Sequence, residues 1–227
     1  MKHVNEPSMD IEVLVILAIL LVTIVTLIVI NVLHKDENQT EPETAAVWED
    51  PYLNMTLDEK EEAIYKNLLN AGFSPAGACG IMGSIAVESP DFDPLAVNEK
   101  NGAYGLFQWT NDGNRKQALT EYCKEHDMYA DSIDAQLSFA IYEIGGADPI
   151  ACRLDRLLRE TDDAYTAAAE FTVGFERCIT DEARRADIYT GSLYPEFYGK
   201  HYQSLSKRIN KAMNYYNRFS ASFNPSR

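Results

Sequence analysis

The hydrophobic and polar positions divide the chain into stretches of different character. From Val13 to Leu33 runs an uncharged segment in which 18 of 21 positions are hydrophobic. As a helix rising ~1.5 Å per residue it would span roughly 31 Å, close to the ~30 Å hydrocarbon thickness of a bilayer. A buried core helix seldom runs so long without a charge. A cleaved signal peptide would have an apolar region of only ~7–15 residues followed at once by a small-residue cleavage site. The nearest such site, Thr44-Ala45-Ala46, comes eleven residues after Leu33. The pattern therefore predicts an uncleaved transmembrane signal anchor over 13–33, a cytoplasmic N-terminus over 1–12 and a solvated acidic linker over 34–56. Lys2 and Lys35 flank the run almost symmetrically, so the basic residues say little about orientation.

From about Leu57 the pattern turns helical and stays so. Ile64, Leu68 and Leu69 share one face of a helix over Glu61 to Ala71, closed by Gly72. Ser74-Pro75 supplies an N-cap and a first-turn proline for the next helix, which runs to Glu88 and stops at Ser89-Pro90. Its small residues, Ala76, Gly77, Ala78, Gly80 and Gly83, are the composition of a central helix that neighbours approach closely. Beyond a loop rich in Asp, Asn, Pro and Gly, helical patterns cover Asn114 to His126, Ser132 to Ile144, Pro149 to Arg159, Ala164 to Phe175 and Ser204 to Phe219. No strand-like alternation of useful length, internal repeat or metal-ligand spacing interrupts them. The fold class is mainly α with at most a very small β element, as one domain over 57–227 that needs no cofactor.

Composition sharpens this division. The 227 residues carry 20 Lys+Arg against 35 Asp+Glu, a formal net charge of −15, which argues against nucleic acid as a partner. Residues 35–62 hold ten carboxylates and two lysines, whereas residues 197–227 hold six Lys or Arg and no carboxylate. Lys207, Arg208 and Lys211 therefore suggest a basic outer face on the last helix, a solvated surface or a site for anionic wall polymers or a partner protein.

The chemistry concentrates at the end of the central helix and in the loop after it. Glu88 follows Ile85, Ala86 and Val87, where a carboxyl is partly desolvated, holds its proton near neutral pH and can act as a general acid. Read alone, it better suits a helix-terminal carboxylate bonded to a loop amide. Gly102-Ala103-Tyr104-Gly105-Leu106-Phe107-Gln108-Trp109-Thr110 turns tightly and then presents aromatic and amide side chains together, a set that binds sugars or packs a core.

Together, Val87-Glu88-Ser89, Pro94 and Gly102 to Trp109 resemble the Glu-Ser and Gly-Ala-x-Gly-Leu-x-Gln signature of the lysozyme-like superfamily. Gly80 to Ile85, Arg115, Gln136-Leu137-Ser138-Phe139 and Phe175-Glu176-Arg177 make the phage tail lysozyme family, also found in wall hydrolases of Gram-positive conjugative elements, the type most resembled. The resemblance covers about Glu61 to Ala186. It implies a lysozyme-like helical domain in which Glu88 protonates the β-1,4 glycosidic oxygen between MurNAc and GlcNAc in peptidoglycan. Ser89, Tyr104, Gln108, Trp109 and Glu143 would bind substrate, and Glu176 matches a further family position. A hydrolase that inverts needs a base ~6.5–9.5 Å from the acid. Asp93 and Asp112 lead the candidates, Asp91 and Glu99 standing nearby, and without a base the product would be an anhydro sugar, as in lytic transglycosylases. The implied partners are peptidoglycan glycan strands, the membrane through one helix, and a secretion or conjugation apparatus. The implied place is the cell membrane, single-pass, with the catalytic domain extracytoplasmic.

Cys79, Cys123, Cys152 and Cys178 all fall in that domain, and export would permit one or two disulfides. Cys178 stands where the resembled family usually has proline. Two rival readings remain open: a cysteine peptidase built on Cys79, near a helix N-terminus, with His126 or His201 as base, and a non-catalytic, membrane-tethered wall-binding component.

Overall fold

The computed structural model describes residues 21–24, 26, 50–180 and 186–223. In the first unit, Met1–Glu49, residues 21–24 and 26 are helical. The expected anchor over 13–33 otherwise lies outside the described residues, as does most of the linker. Among the described residues no helix is long and apolar enough to cross a membrane. The second unit, Asp50–Arg227, begins earlier than the expected 57. Tyr52 accounts for this: it is buried, and its hydroxyl donates to Asp134 Oδ1 at 2.7 Å while Asn67 Nδ2 donates to it at 2.9 Å.

Among the described residues seven α-helices build this unit: α1 Leu57–Asn70, α2 Pro75–Glu88, α3 Arg115–Glu125, α4 Ile133–Tyr142, α5 Leu154–Glu160, α6 Ala164–Phe171 and α7 Leu205–Phe223. Local chemistry sets their ends. Thr56 and Glu59 form a reciprocal capping box at α1. Ser74 Oγ accepts Gly77 N–H at 2.9 Å to open α2 and donates to Thr161 O at 2.6 Å, fastening the cap to the loop after α5. The chain is mainly helical, as expected. Among the described residues its sheet is two strands of three residues, β1 Ala186–Ile188 and β2 His201–Gln203, antiparallel with Asp187 opposite Tyr202.

The glycines expected to admit close neighbours do so on three sides of α2. A Cβ on Gly77 would stand 1.9 Å from Leu158 O of α5, one on Gly80 2.6 Å from Ala167 Cβ of α6, and one on Gly83 2.5 Å from Arg208 O of α7. Every residue of α2 from Ala76 to Ala86 is buried. A helix buried all round must carry no charge along its length, and α2 carries its only charge at its last residue. Two expected helices end differently: α6 gives way to a π turn over Thr172–Glu176, and α4 to another over Glu143–Ala147.

Candidate active site

Glu88 leaves the core where α2 ends, its side chain 22% exposed. Ser89 Oγ then closes the chain into a tight loop, accepting Asp93 N–H at 2.8 Å and donating to Asp93 O at 3.0 Å. Phe92 inside that loop has φ 52° and is completely buried. A left-handed aromatic residue costs about 1–3 kcal/mol and persists only where packing over-determines it, here edge-on against Tyr215 at 6.4 Å. Asp93 is exposed, and its Oδ1 accepts Leu95 N–H at 2.9 Å.

The segment after the loop folds back on itself. Tyr104 and Trp109 exchange both backbone hydrogen bonds, at 3.0 and 2.9 Å, and Val97 bridges to Tyr104. Gln108, with φ 50°, donates its amide to Ala96 O at 3.1 Å and Gly105 O at 2.9 Å. Gln136 of α4 holds the whole loop from beneath: its Oε1 accepts Leu106 N–H at 2.8 Å, and its Nε2 donates to Pro94 O and Ala130 O, each at 2.8 Å. Gly105 leaves room for it, since a Cβ there would lie 2.4 Å from Gln136 Oε1.

A guanidinium from the far end of the chain completes the arrangement. Arg208, in the first turns of α7, donates Nη2 to Glu88 Oε1 and stands with Nη1 3.7 Å from Glu176 Oε1. Arg208 and Glu176 are buried, with side chains 3% and 4% exposed. The expected apolar surround of Glu88 is thus replaced on one side by a charge, because Gly83 lets the backbone of α7 approach. Burial pushes the Glu176 carboxyl up to about 8, against the pull of Arg208 and Arg115 and with the repulsion of Glu88 and Glu143.

The sequence pattern of the phage tail lysozymes matches residues 59–219. The chain belongs to the phage tail lysozyme family. No curated protein matches it. Membership brings a peptidoglycan-cleaving, lysozyme-like function, as a glycosidase or transglycosylase, with peptidoglycan as substrate.

Within this lysozyme-like domain the expected sugar-binding residues separate into two layers. Tyr104 stays half-exposed in the loop, its hydroxyl 2.5 Å from Asp131 Oδ1 and Lys116 Nζ 5.3 Å from its ring centre. Trp109 is 1% exposed and offers no face to a sugar. Its indole N–H donates to Glu143 Oε2 at 3.0 Å, and its ring packs on Phe107 and Phe139. Glu143 is buried too and takes both arms of Arg115, at 2.7 and 2.8 Å, while Arg115 Nη1 donates to Phe175 O at 3.0 Å. Trp109 and Glu143 therefore form the floor beneath the loop, and the expectation of direct sugar contact is corrected for both. Ser89 is buried with its hydroxyl engaged as donor and acceptor, so it shapes the loop. Asp112 is exposed in a 3₁₀ turn at Asp112–Asn114, ahead of α3. Arg208 belongs to the interior, so the basic outer face of α7 keeps Lys207 and Lys211 without it.

All four cysteines are free thiols. Cys79 is wholly buried, and burial pushes its thiol up to about 12, the reverse of an activated nucleophile. His126 is exposed and stacked on Tyr122 at 4.1 Å, its Nδ1 2.8 Å from Tyr122 O. The peptidase reading falls on that burial.

Proposed function

We propose that the protein cleaves the β-1,4 bond between MurNAc and GlcNAc in peptidoglycan with Glu88 as the general acid. The observation that carries this reading is the one carboxyl of the central helix, set where α2 meets solvent and beside the loop that bears Tyr104. Glu88 protonates the leaving oxygen as the glycosidic bond breaks. Asp93 is the better-placed partner of the two leading aspartates: it follows Glu88 in a loop locked by Ser89, and its charge acts on the Tyr104 hydroxyl. An inverting hydrolase would use Asp93 to activate water from the opposite face; a lytic transglycosylase would instead let the sugar's own hydroxyl close on the anomeric carbon.

The uncharged run over 13–33 supports anchoring in the cell membrane by one helix, with the domain on the extracytoplasmic side. Such tethering fixes a high local enzyme concentration beside an anionic wall that would repel a chain of net charge −15, a setting that suits local wall opening. Glu88→Gln, compared with the unaltered chain on purified peptidoglycan, tests the assignment: glycan cleavage disappears while the fold stays intact, and retained cleavage refutes it.

A further inference from the structure

Glu88, Arg208 and Glu176 bring two carboxyls and one guanidinium into the interior end of the site, and each comes from a different element. Their bonding is incomplete. Glu176 Oε1 and Arg208 Nε and Nη1 are buried without a hydrogen bond, whereas the other buried glutamates, Glu61, Glu143 and Glu170, each hold two or more polar partners. A half-bonded buried charged cluster is costly unless it can rearrange. The lowest-cost state of two carboxyls around one guanidinium is neutral, with one proton between them.

We propose that Glu88, Arg208 and Glu176 hold one proton in common, and that Glu176 is the positioning residue that makes it available to Glu88. In the arrangement seen, Arg208 bonds Glu88 and the proton resides on Glu176. For catalysis the guanidinium passes to Glu176 and the proton passes from the Glu176 carboxyl to Glu88, which then delivers it to the glycosidic oxygen. The cluster is neutral before and after the exchange, so no uncompensated charge is buried. The groups facing Glu176 are Arg208 from α7, Glu88 from α2, Arg115 from α3, Glu143 from the turn after α4, and Cys178 two residues on. Because one proton serves both carboxyls, the activity should fall near the pH at which Glu176 ionises.

This inference rests on Glu88 being the acid. The test is the pH profile of peptidoglycan cleavage by the full chain, run with E176Q, E176D, R208K and E88Q. The expected profile of the unaltered chain falls on the alkaline side near pH 8. E176Q, which has no proton to exchange, loses tenfold or more at pH 7 and no longer shows that alkaline fall, while E176D retains it. A purely structural role for Glu176 would lower activity without changing the shape of the profile. If E176Q does not fold by circular dichroism, R208K decides: a weaker cation beside Glu176 moves the alkaline fall upward by a pH unit or more. An E176Q profile of unaltered shape, or an R208K fall that does not move, overturns the inference. Activity in E88Q overturns instead the assignment of the acid, so the two failures are distinguishable.

Discussion

Replacing Gln136 by Leu should loosen the candidate site from beneath while keeping nearly the same side-chain volume. Gln136 is completely buried and makes three hydrogen bonds of 2.8 Å, one from Leu106 N–H and one each to Pro94 O and Ala130 O. Each backbone group left unpaired in the interior costs about 1–3 kcal/mol. Three together cost roughly 3–9 kcal/mol, offset by about 1–2 kcal/mol for the apolar side chain now buried. The expected net loss is about 1–8 kcal/mol, set against a typical stability of about 5–15 kcal/mol. Urea unfolding followed by circular dichroism reads it as a lower midpoint at unchanged slope. Cleavage of peptidoglycan should fall as well, since Pro94 and Leu106 bracket the loop that carries Tyr104. A loss below about 1 kcal/mol with full activity would refute the claim that Gln136 fastens the loop.

Four further outcomes follow from the packing and the charges. Gly83→Ala places a methyl against the backbone of α7, 2.5 Å from Arg208 O and 2.9 Å from Ala212 N, so it should cost about 1–3 kcal/mol or more and reduce activity by shifting Arg208. Gly145→Ala, with nothing within 4 Å, should change the urea midpoint very little. Glu143→Ala strands Arg115 in the interior and should cost about 3–5 kcal/mol, with a changed Trp109 emission because the indole N–H loses its acceptor. The Glu176 carboxyl is raised by burial from an ordinary 4.5 to about 8, so the folded state binds a proton that the unfolded chain gives up. Its contribution is fully present below about pH 4.5 and is lost as pH rises toward about 8, by up to about tenfold in the folding equilibrium per pH unit. Urea unfolding of the unaltered chain against Glu176→Gln should show that difference in slope across the window; parallel pH dependences would contradict it.

What the sequence made legible was local. Ser74-Pro75, Gly72 and Ser89-Pro90 mark the ends of α1 and α2 because capping and proline sterics act within a few residues. The small-residue spacing of α2 foretells close neighbours, and Gly77, Gly80 and Gly83 meet α5, α6 and α7. Long-range pairing was not legible. Arg208 reads as one of several basic residues on a terminal helix, and nothing in its neighbourhood signals a carboxylate 120 positions earlier. Trp109 sits in a segment whose composition suits sugar binding and core packing equally; its burial is decided by Glu143 and Phe139, thirty or more residues away. The strands β1 and β2 are too short for alternation to show, and the π turns that carry Glu143 and Glu176 extend apolar helical patterns without a break in period.

Under the proposed mechanism a single carboxyl, Glu88, makes this domain a glycan-cleaving enzyme, and the fragments it releases from peptidoglycan report on that role. Purified peptidoglycan is incubated with the full chain or with Glu88→Gln, and the released fragments are identified by mass spectrometry. Disaccharide muropeptides ending in reducing MurNAc or in its anhydro form are expected from the unaltered chain, and none from Glu88→Gln at equal folded concentration. Muropeptides released equally by both proteins, or fragments cut only in the peptide, would contradict it.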